Sequence, residues 1–357
     1  MVVMPTEPQS FWQRRWKLML NIVTFAALLV LVVAIHKQLG QTIDNLKRVD
    51  AIALLLMLVT QALNYLAQAK MYKGLFAILG DKFGLKTLAK FCLELNFVNH
   101  VFPSGGVTGI SYFGVRLKQS GIRISKSTLV HLVKLILILL SFEVLLIFGL
   151  IVLAAGGHAN NLVMLLCGVL TTAMLFATAG FGYMLASKRR IDRTFMAVSK
   201  ALNWLIHLVR RQKPETISID GVKAVVDDLS ENYDLFISHW RQLQAPFWWA
   251  LVANLTEVLT IYVVYIAFGE WVNIGAVILA YAVANFAGLV SVLPGGIGIY
   301  EGLMTVVLAA GGIPAGISLP VTIMYRVLNT LIQLPPGYYL YHRNLRSGGK
   351  RILQHDS

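Results

Sequence analysis

Seven apolar runs, each nearly free of charge, constrain this chain more than any other feature of its sequence. Most reach the roughly 20 residues that an α-helix needs to cross about 30 Å of hydrocarbon. They cover residues 18–35, 51–69, 135–155, 162–186, 247–268, 272–293 and 317–341. An eighth run, 297–310, is short for a full crossing. With 57% hydrophobic and 13% charged residues, the chain is predicted to be an all-α polytopic integral membrane protein with about seven or eight transmembrane helices.

The net charge of +14 is distributed as a topology signal. Three of the 31 Lys and Arg lie in the loop after the first run and two lie inside apolar runs. All the others fall on one side if the N-terminus is cytoplasmic, as the positive-inside rule requires. This pattern favours contact with anionic lipid at the cytoplasmic face over binding of nucleic acid. We therefore expect a multi-pass protein of the bacterial cytoplasmic membrane with both termini in the cytoplasm.

The charge map divides the chain into two membrane halves with a soluble piece between them. That piece carries apolar residues at helical spacing among basic ones, which is typical of an interfacial amphipathic hairpin. It either connects the halves or docks a partner, such as a lipid-modifying enzyme. The predicted order is a cytoplasmic tail (1–17), a first membrane half (18–186), the hairpin (187–245), a second membrane half (246–342) and a cytoplasmic tail (343–357).

Each membrane half contains one break rich in proline and glycine. The first is at 102–106, with Pro103, Gly105 and Gly106, and the second is at 293–302, with Pro294, Gly295, Gly296 and Gly298. Irregular backbone is tolerated inside a membrane only where it is buried in protein or lines a cavity. Basic residues on both flanks of 91–115 predict a re-entrant hairpin there. The similarity of the two breaks also raises the possibility of an internal repeat of broken helices, which is a pointer to a transporter site.

A broken helix presents unpaired N–H groups and a positive dipole end, which suit a phosphate or carboxylate. The second break lacks the Lys and Ser or Thr of a nucleotide-binding P-loop, and it follows a membrane helix instead of a strand. Charged residues inside apolar runs are the sharper signal, because one at the centre of a span costs about 2.5–3.5 kcal/mol. They are Glu94, Glu143, Glu257, Glu301 and Arg326, with Lys134 expected to extend towards the membrane surface.

Arg326, Asn329 and Gln333 share one face of the last helix, and Asn254 and Glu257 form a similar pair. Two interpretations of Arg326 stay open. It pairs with Glu301 or Glu257 to join helices, or it holds an anionic headgroup that a nearby glutamate releases. Near the first break, Asn96, Asn99 and His100 share a face and could bind a headgroup or satisfy freed backbone groups.

We find no Ser, His and carboxylate set and no metal-ligand cluster at a useful spacing, so we expect no enzyme activity, catalytic residue, metal or cofactor. Cys92 and Cys167 lie in apolar context and are interpreted as packing residues.

Three motifs carry a family resemblance: Phe102–Gly106 followed by Arg116, the Pro294–Gly298 run closing on Glu301, and Tyr325-Arg326 with Pro335 beyond. Over about residues 15–345 the chain resembles the lysylphosphatidylglycerol synthase transmembrane (flippase-like) family. The resemblance implies translocation of a lipid. Family patterns often have an acidic residue at the first break, and this chain has none there. The aminoacyl-transferase domain of bifunctional members is also absent from this sequence.

The sequence therefore predicts a flippase or transporter for a lipid with a polar headgroup, expected to contain phosphate. The alternative is a non-catalytic membrane scaffold or accessory subunit of a lipid or glycan biosynthetic enzyme, and a membrane transferase ranks last. The oligomeric state stays open. The candidate substrate-binding residues are Asn99, Pro103, Gly105, Gly106, Arg116, Glu257, Pro294, Gly295, Gly296, Gly298, Glu301, Arg326 and Asn329.

Overall fold

The computed structural model describes residues 40–47, 49–101, 107–157, 161–185, 238–290 and 298–346, together with residues 187, 189, 190, 193 and 236. Within these ranges every regular element is a helix, which confirms the all-α membrane class. The first apolar run, most of the predicted amphipathic hairpin, the whole first break and residues 293–297 of the second lie outside the described residues.

The described helices differ widely in length. Four stretches are long and apolar enough to cross a membrane: Ala51–Ile78, Ile124–Ala155, Trp240–Ala267 and Ala315–Leu345. A single 3₁₀ turn, Trp240–Leu243, precedes α7. The α-helices are α1 (Ala51–Leu54), α2 (Leu56–Ile78), α3 (Leu85–Val101), α4 (Val107–Lys118), α5 (Ile124–Ala155), α6 (Asn161–Leu185), α7 (Gln244–Ala267), α8 (Ile274–Val290), α9 (Ile299–Ala310) and α10 (Ala315–Arg346).

The helix lengths repeat. A span of 28 residues, Ala51–Ile78, is followed by helices α3, α4 and α5 of 17, 12 and 32 residues. A second span of 28 residues, Trp240–Ala267, is followed by α8, α9 and α10, again of 17, 12 and 32 residues. Each half therefore has a long helix, two short helices and a very long helix. The repeat that the two similar breaks suggested is present in the order and length of the helices.

The two copies run in opposite directions. Corresponding helices α2 and α7 pack antiparallel, since the Asp50 N–H at the start of α1 donates to the Ala267 carbonyl at the end of α7, at 2.9 Å. Towards the other end of this pair, the Lys70 ammonium lies 4.2 Å from the ring centre of Trp249. An inverted repeat of this kind places equivalent elements on opposite sides of a membrane.

The short helices form two hairpins. In the first, Arg116 near the end of α4 lies over the ring of Phe91 near the start of α3, so the helices are antiparallel. In the second, a Cβ added to Gly311, just after α9, would lie 2.8 Å from the Cβ of Ala276 near the start of α8. Helix α9 therefore returns to the end from which α8 began.

This second hairpin contains the apolar run 272–293, which is long enough to cross the membrane. The described part of that run is α8, of 17 residues, and the 12-residue α9 returns to the end from which α8 began. Hydropathy does not distinguish a crossing helix from a re-entrant one, because both are surrounded by apolar groups. The inverted repeat then directs the two hairpins into the bundle from opposite ends.

Two apolar clusters hold the halves together. One is formed by side chains of α5, α7, α8, α9 and α10, such as Leu146, Tyr265 and Met304. The other joins α2, α3, α4 and α5 and includes Tyr72 and Leu88. Close packing in such helix bundles depends on small residues and dispersion contacts, since lipid is as apolar as the helix surface.

Candidate functional site

An ion pair lies at the inner end of the second hairpin. Glu301, in the first turn of α9, has its Oε1 atom 2.6 Å from Nη1 of Arg326 on α10. Its other oxygen, Oε2, accepts a hydrogen bond of 2.7 Å from the N–H of Gly298. The Arg326 guanidinium also lies 4.8 Å from the ring centre of Tyr300. Of the two partners that the sequence offered for Arg326, the structure brings Glu301 to it.

The local backbone explains why Glu301 is held there. Gly298 precedes α9 with φ of 87°, a left-handed conformation that side chains other than glycine adopt only with strain. This turn directs the N–H of Gly298 towards the carboxylate that caps the helix. The N-terminus of α9, which carries positive partial charge, therefore already has an anionic group bound to it. A second anion reaching this point meets both Arg326 and the helix end.

Glu257, at the middle of α7, lies in a different environment. Its Oε1 atom accepts hydrogen bonds from the Tyr325 hydroxyl at 2.6 Å and from Asn329 Nδ2 at 2.8 Å, both on α10. Its Oε2 atom accepts from Gln61 Nε2 on α2 at 3.1 Å. Three neutral donors from two other helices therefore hold this carboxylate.

An amide network extends from Glu257 across the two halves. Gln333 Nε2 donates to Asn329 Oδ1 at 2.8 Å and to Gln61 Oε1 at 3.0 Å. Gln61 Nε2 also lies 3.2 Å from the Thr260 hydroxyl, which donates in turn to Thr60 at 2.8 Å. These bonds tie α2 of the first half to α7 and α10 of the second. The polar stripe predicted on α10 is thus divided, with Arg326 turned to α9, Asn329 to α7 and Gln333 to α2.

The structure does not join Asn254 to Glu257. Asn254 Nδ2 instead donates to the Ser141 hydroxyl of α5. Their spacing of three residues puts both on a polar side of α7, but Asn254 contacts α5 whereas Glu257 contacts α2 and α10. Glu143, another carboxylate predicted inside the membrane, accepts a hydrogen bond of 3.0 Å from Thr178 on α6.

A second buried ion pair lies within the first hairpin. Arg116 Nε is 3.0 Å from Glu94 Oε2, and the two side chains are only 5% and 3% exposed. The Tyr112 hydroxyl donates to the same oxygen at 2.7 Å. Arg116 was a candidate for substrate binding, and here its charge is balanced by a carboxylate of its own hairpin. The pair fastens α4 to α3 at a distance from the break, near the end of α4.

The polar side chains that precede the first break contact different parts of the structure. Asn96 Nδ2 donates to the Tyr65 hydroxyl of α2 at 2.9 Å, and His100 Nδ1 lies 2.9 Å from the Asn96 carbonyl. Asn99 is exposed, and its side chain packs so closely on Gly109 that a Cβ there would overlap the Asn99 amide oxygen. Six further candidates lie outside the described residues: Pro103, Gly105, Gly106, Pro294, Gly295 and Gly296.

Sequence reasoning missed the contribution of α2. Gln61, Asn64 and Gln68 follow one another at helical spacing within an apolar run, a signal as clear as the stripe on α10. Asn64 Nδ2 donates to the Ala253 carbonyl of α7 at 2.7 Å, and Gln68 Nε2 donates to Asn64 Oδ1 at 2.6 Å. Among the described residues, no three His, Cys, Asp or Glu are grouped in a way that could hold a metal ion.

Comparison with known proteins connects the chain to one family. The family model described as "Lysylphosphatidylglycerol synthase TM region" matches residues 18–337. A UPF0104 membrane protein of Methanocaldococcus jannaschii is 21% identical over 326 residues, or 89% of this chain and 92% of that protein. A UPF0104 membrane protein of Methanothermobacter thermautotrophicus is 29% identical over 109 residues, or 30% of this chain and 31% of that protein. No solved structure matches the chain.

Proposed function

Because the chain belongs to the lysylphosphatidylglycerol synthase transmembrane-region family, we propose that it moves a lipid with a polar, phosphate-containing headgroup across the membrane. The membrane is taken to be the bacterial cytoplasmic membrane, with both chain termini in the cytoplasm and anionic lipid against the basic face. The protein binds and transports the lipid without changing it chemically.

The observation that carries the proposal is the Glu301–Arg326 pair at the N-terminus of α9. A charged pair inside a membrane bundle is expensive and marks a substrate path more often than a surface pair does. Here it coincides with the end of a broken helix, where N–H groups and the helix dipole favour an anion. Interrupted helices in the two halves of an inverted repeat are the arrangement in which transporters build their binding sites.

The geometry suggests how a headgroup is taken up and released. Arg326 can exchange the Glu301 carboxylate for a phosphate oxygen, because a guanidinium accommodates either group through the same donors. Glu301 keeps its bond to the N–H of Gly298 and stays beside the site. When the headgroup leaves, the carboxylate returns to Arg326. The exchange avoids leaving a buried arginine without a negative partner at either stage.

Vesicles containing the purified protein test this proposal. One set of vesicles carries a labelled phospholipid and the other a labelled glycolipid of the same acyl chains without phosphate. We expect the protein to speed exchange of the phospholipid between leaflets and to leave the glycolipid near the rate of empty vesicles. Equal acceleration of both lipids, or of neither, would overturn the proposal. Protein carrying Lys126→Ala, which breaks an ion pair with Asp81 away from the site, serves as the matched control.

A further inference from the structure

Glu257 is a partly buried carboxylate of α7 that neither hairpin pairs with a cation. Glu94 and Glu301 are each paired with an arginine, at 3.0 Å and 2.6 Å. Among the described residues, no lysine, arginine or histidine contacts Glu257, whose partners are Gln61, Tyr325 and Asn329. An ionised carboxylate inside a membrane bundle is costly without a cation, and protonation removes that charge. Glu143 accepts a hydrogen bond from Thr178 of its own half, whereas Glu257 contacts both halves of the bundle.

The groups around Glu257 are almost all neutral. The ionisable side chains that face it are Tyr325 on α10, Tyr65 on α2, Tyr281 on α8 and Tyr300 on α9. The guanidinium of Arg326 is directed to Glu301. Helix α5, which packs on the same helix α7, contributes the Ser141 hydroxyl to Asn254. The surroundings therefore include no described acid that would compete for the proton.

The network can accommodate both protonation states with one local change. As a carboxylate, Glu257 accepts all three hydrogen bonds that the structure shows. As a neutral acid, it can donate its proton to the oxygen of Tyr325, 2.6 Å away, because a tyrosine hydroxyl both donates and accepts. This reverses the Tyr325 hydrogen bond and turns the tyrosine hydrogen away from Glu257. The amide groups of Gln61 and Asn329 can still donate to the two acid oxygens.

The position of Glu257 links such a proton to the headgroup pair and to the two halves. Tyr325 and Arg326 are consecutive residues on α10, and they contact Glu257 and Glu301 respectively. Gln61 brings α2 of the other half to the same carboxylate. A shift of α10 when Arg326 exchanges its partner would therefore move a hydrogen-bond donor of Glu257.

We propose that Glu257 is a proton-binding site that couples lipid movement to the proton gradient across the membrane. This inference rests on the proposed transport function. In each cycle one proton binds a carboxylate oxygen from water on one side, and the O–H bond breaks to release it on the other side. No other bond forms or breaks. With one proton for each lipid, a gradient of one pH unit supports an uneven lipid distribution of about tenfold.

The test uses the full-length protein in sealed vesicles and measures the steady-state ratio of a labelled phospholipid between leaflets. At equal pH on both sides the wild type should reach a ratio near one, and with one pH unit across the membrane a ratio of about tenfold. Glu257→Gln, which keeps the shape but cannot release a proton, should stay near one under both conditions. Glu143→Gln removes another carboxylate in the bundle and should respond as the wild type does.

Each outcome has a separate meaning. A wild type that exchanges lipid but ignores the pH gradient would overturn the coupling, as would a Glu257→Gln variant that still follows it. A response to a sodium gradient at equal pH would overturn the assignment to a proton. A wild type that exchanges no lipid at all contradicts the transport function itself. If Glu257→Gln exchanges no lipid, a pH-sensitive dye inside wild-type vesicles tests the coupling instead. Lipid movement without proton movement would refute the proposal.

Discussion

Arg326 of α10 and Glu301 in the first turn of α9 face each other at the inner end of the second hairpin, with Nη1 and Oε1 2.6 Å apart. Glu301 is only 4% exposed and also caps α9 through the N–H of Gly298. One residue therefore serves both the backbone of the broken helix and the charge of the arginine. Changes at the break and changes at the ion pair should affect the same site.

The conformation of Gly298 gives the first prediction. Gly298→Ala should destabilise the protein by about 1–2 kcal/mol, since a Cβ is strained at a φ of 87°. It should also loosen the cap that holds Glu301. Thermal unfolding in detergent measures the loss. Gly302→Ala lies on the same helix, where a Cβ has nothing within 4 Å, and should leave the melting temperature unchanged. Equal effects of the two substitutions would contradict the role of the turn.

The amide network around Glu257 gives the second prediction. Gln61→Leu should lower stability by about 1 kcal/mol, because it removes bonds that join the two halves and leaves an acceptor on Glu257 and a donor on Gln333 unmatched. Gln68→Leu removes a bond within α2 and should cost less. Denaturation in mixed micelles compares the two. If Gln68→Leu proved the more harmful, the bonds between the halves would not be the stabilising ones.

The ion pair of the first hairpin gives the third prediction. Arg116→Met should destabilise the protein by about 3–5 kcal/mol, since it leaves Glu94 buried with the Tyr112 hydroxyl but without a cation. Replacing both partners, as Arg116→Met with Glu94→Gln, should recover most of the loss. The yield of monodisperse protein and its melting temperature report the result. A double variant as unstable as the single one would mean that Arg116 has another partner.

The inverted repeat gives the fourth prediction. The loop between α2 and α3 and the loop between α7 and α8 should lie on opposite sides of the membrane, the first cytoplasmic. With Cys92 and Cys167 replaced by alanine, Lys82→Cys and Glu270→Cys provide one thiol in each loop. An impermeant thiol reagent should label intact cells at position 270 only, and at position 82 only after permeabilisation. Labelling of both from the same side would refute the inverted arrangement.

The sequence predicted the helical membrane class, because apolarity acts locally. The predicted breaks stay predictions at residues 102–106 and 293–297, which lie outside the described residues. The sequence named Glu301 as one of two partners for Arg326, since both carboxylates lay within apolar runs. It could not choose between them, because the choice depends on how α9 folds back against α10. Gln61 escaped notice as a partner of Glu257 because α2 and α7 are far apart in the chain.

The most direct test of the account uses two variants that both lack Arg326. Their melting temperatures are compared first, and lipid exchange is then measured for the double variant. Arg326→Ala alone should unfold readily because it leaves Glu301 buried without its arginine, with a loss of about 3–5 kcal/mol. Arg326→Ala combined with Glu301→Gln should regain most of the melting temperature, because no isolated charge remains. The measurement is phospholipid exchange in vesicles by this folded double variant. We predict that exchange falls to the rate of empty vesicles, whereas exchange at the wild-type rate would show that Arg326 only joins α9 to α10 and does not bind the headgroup.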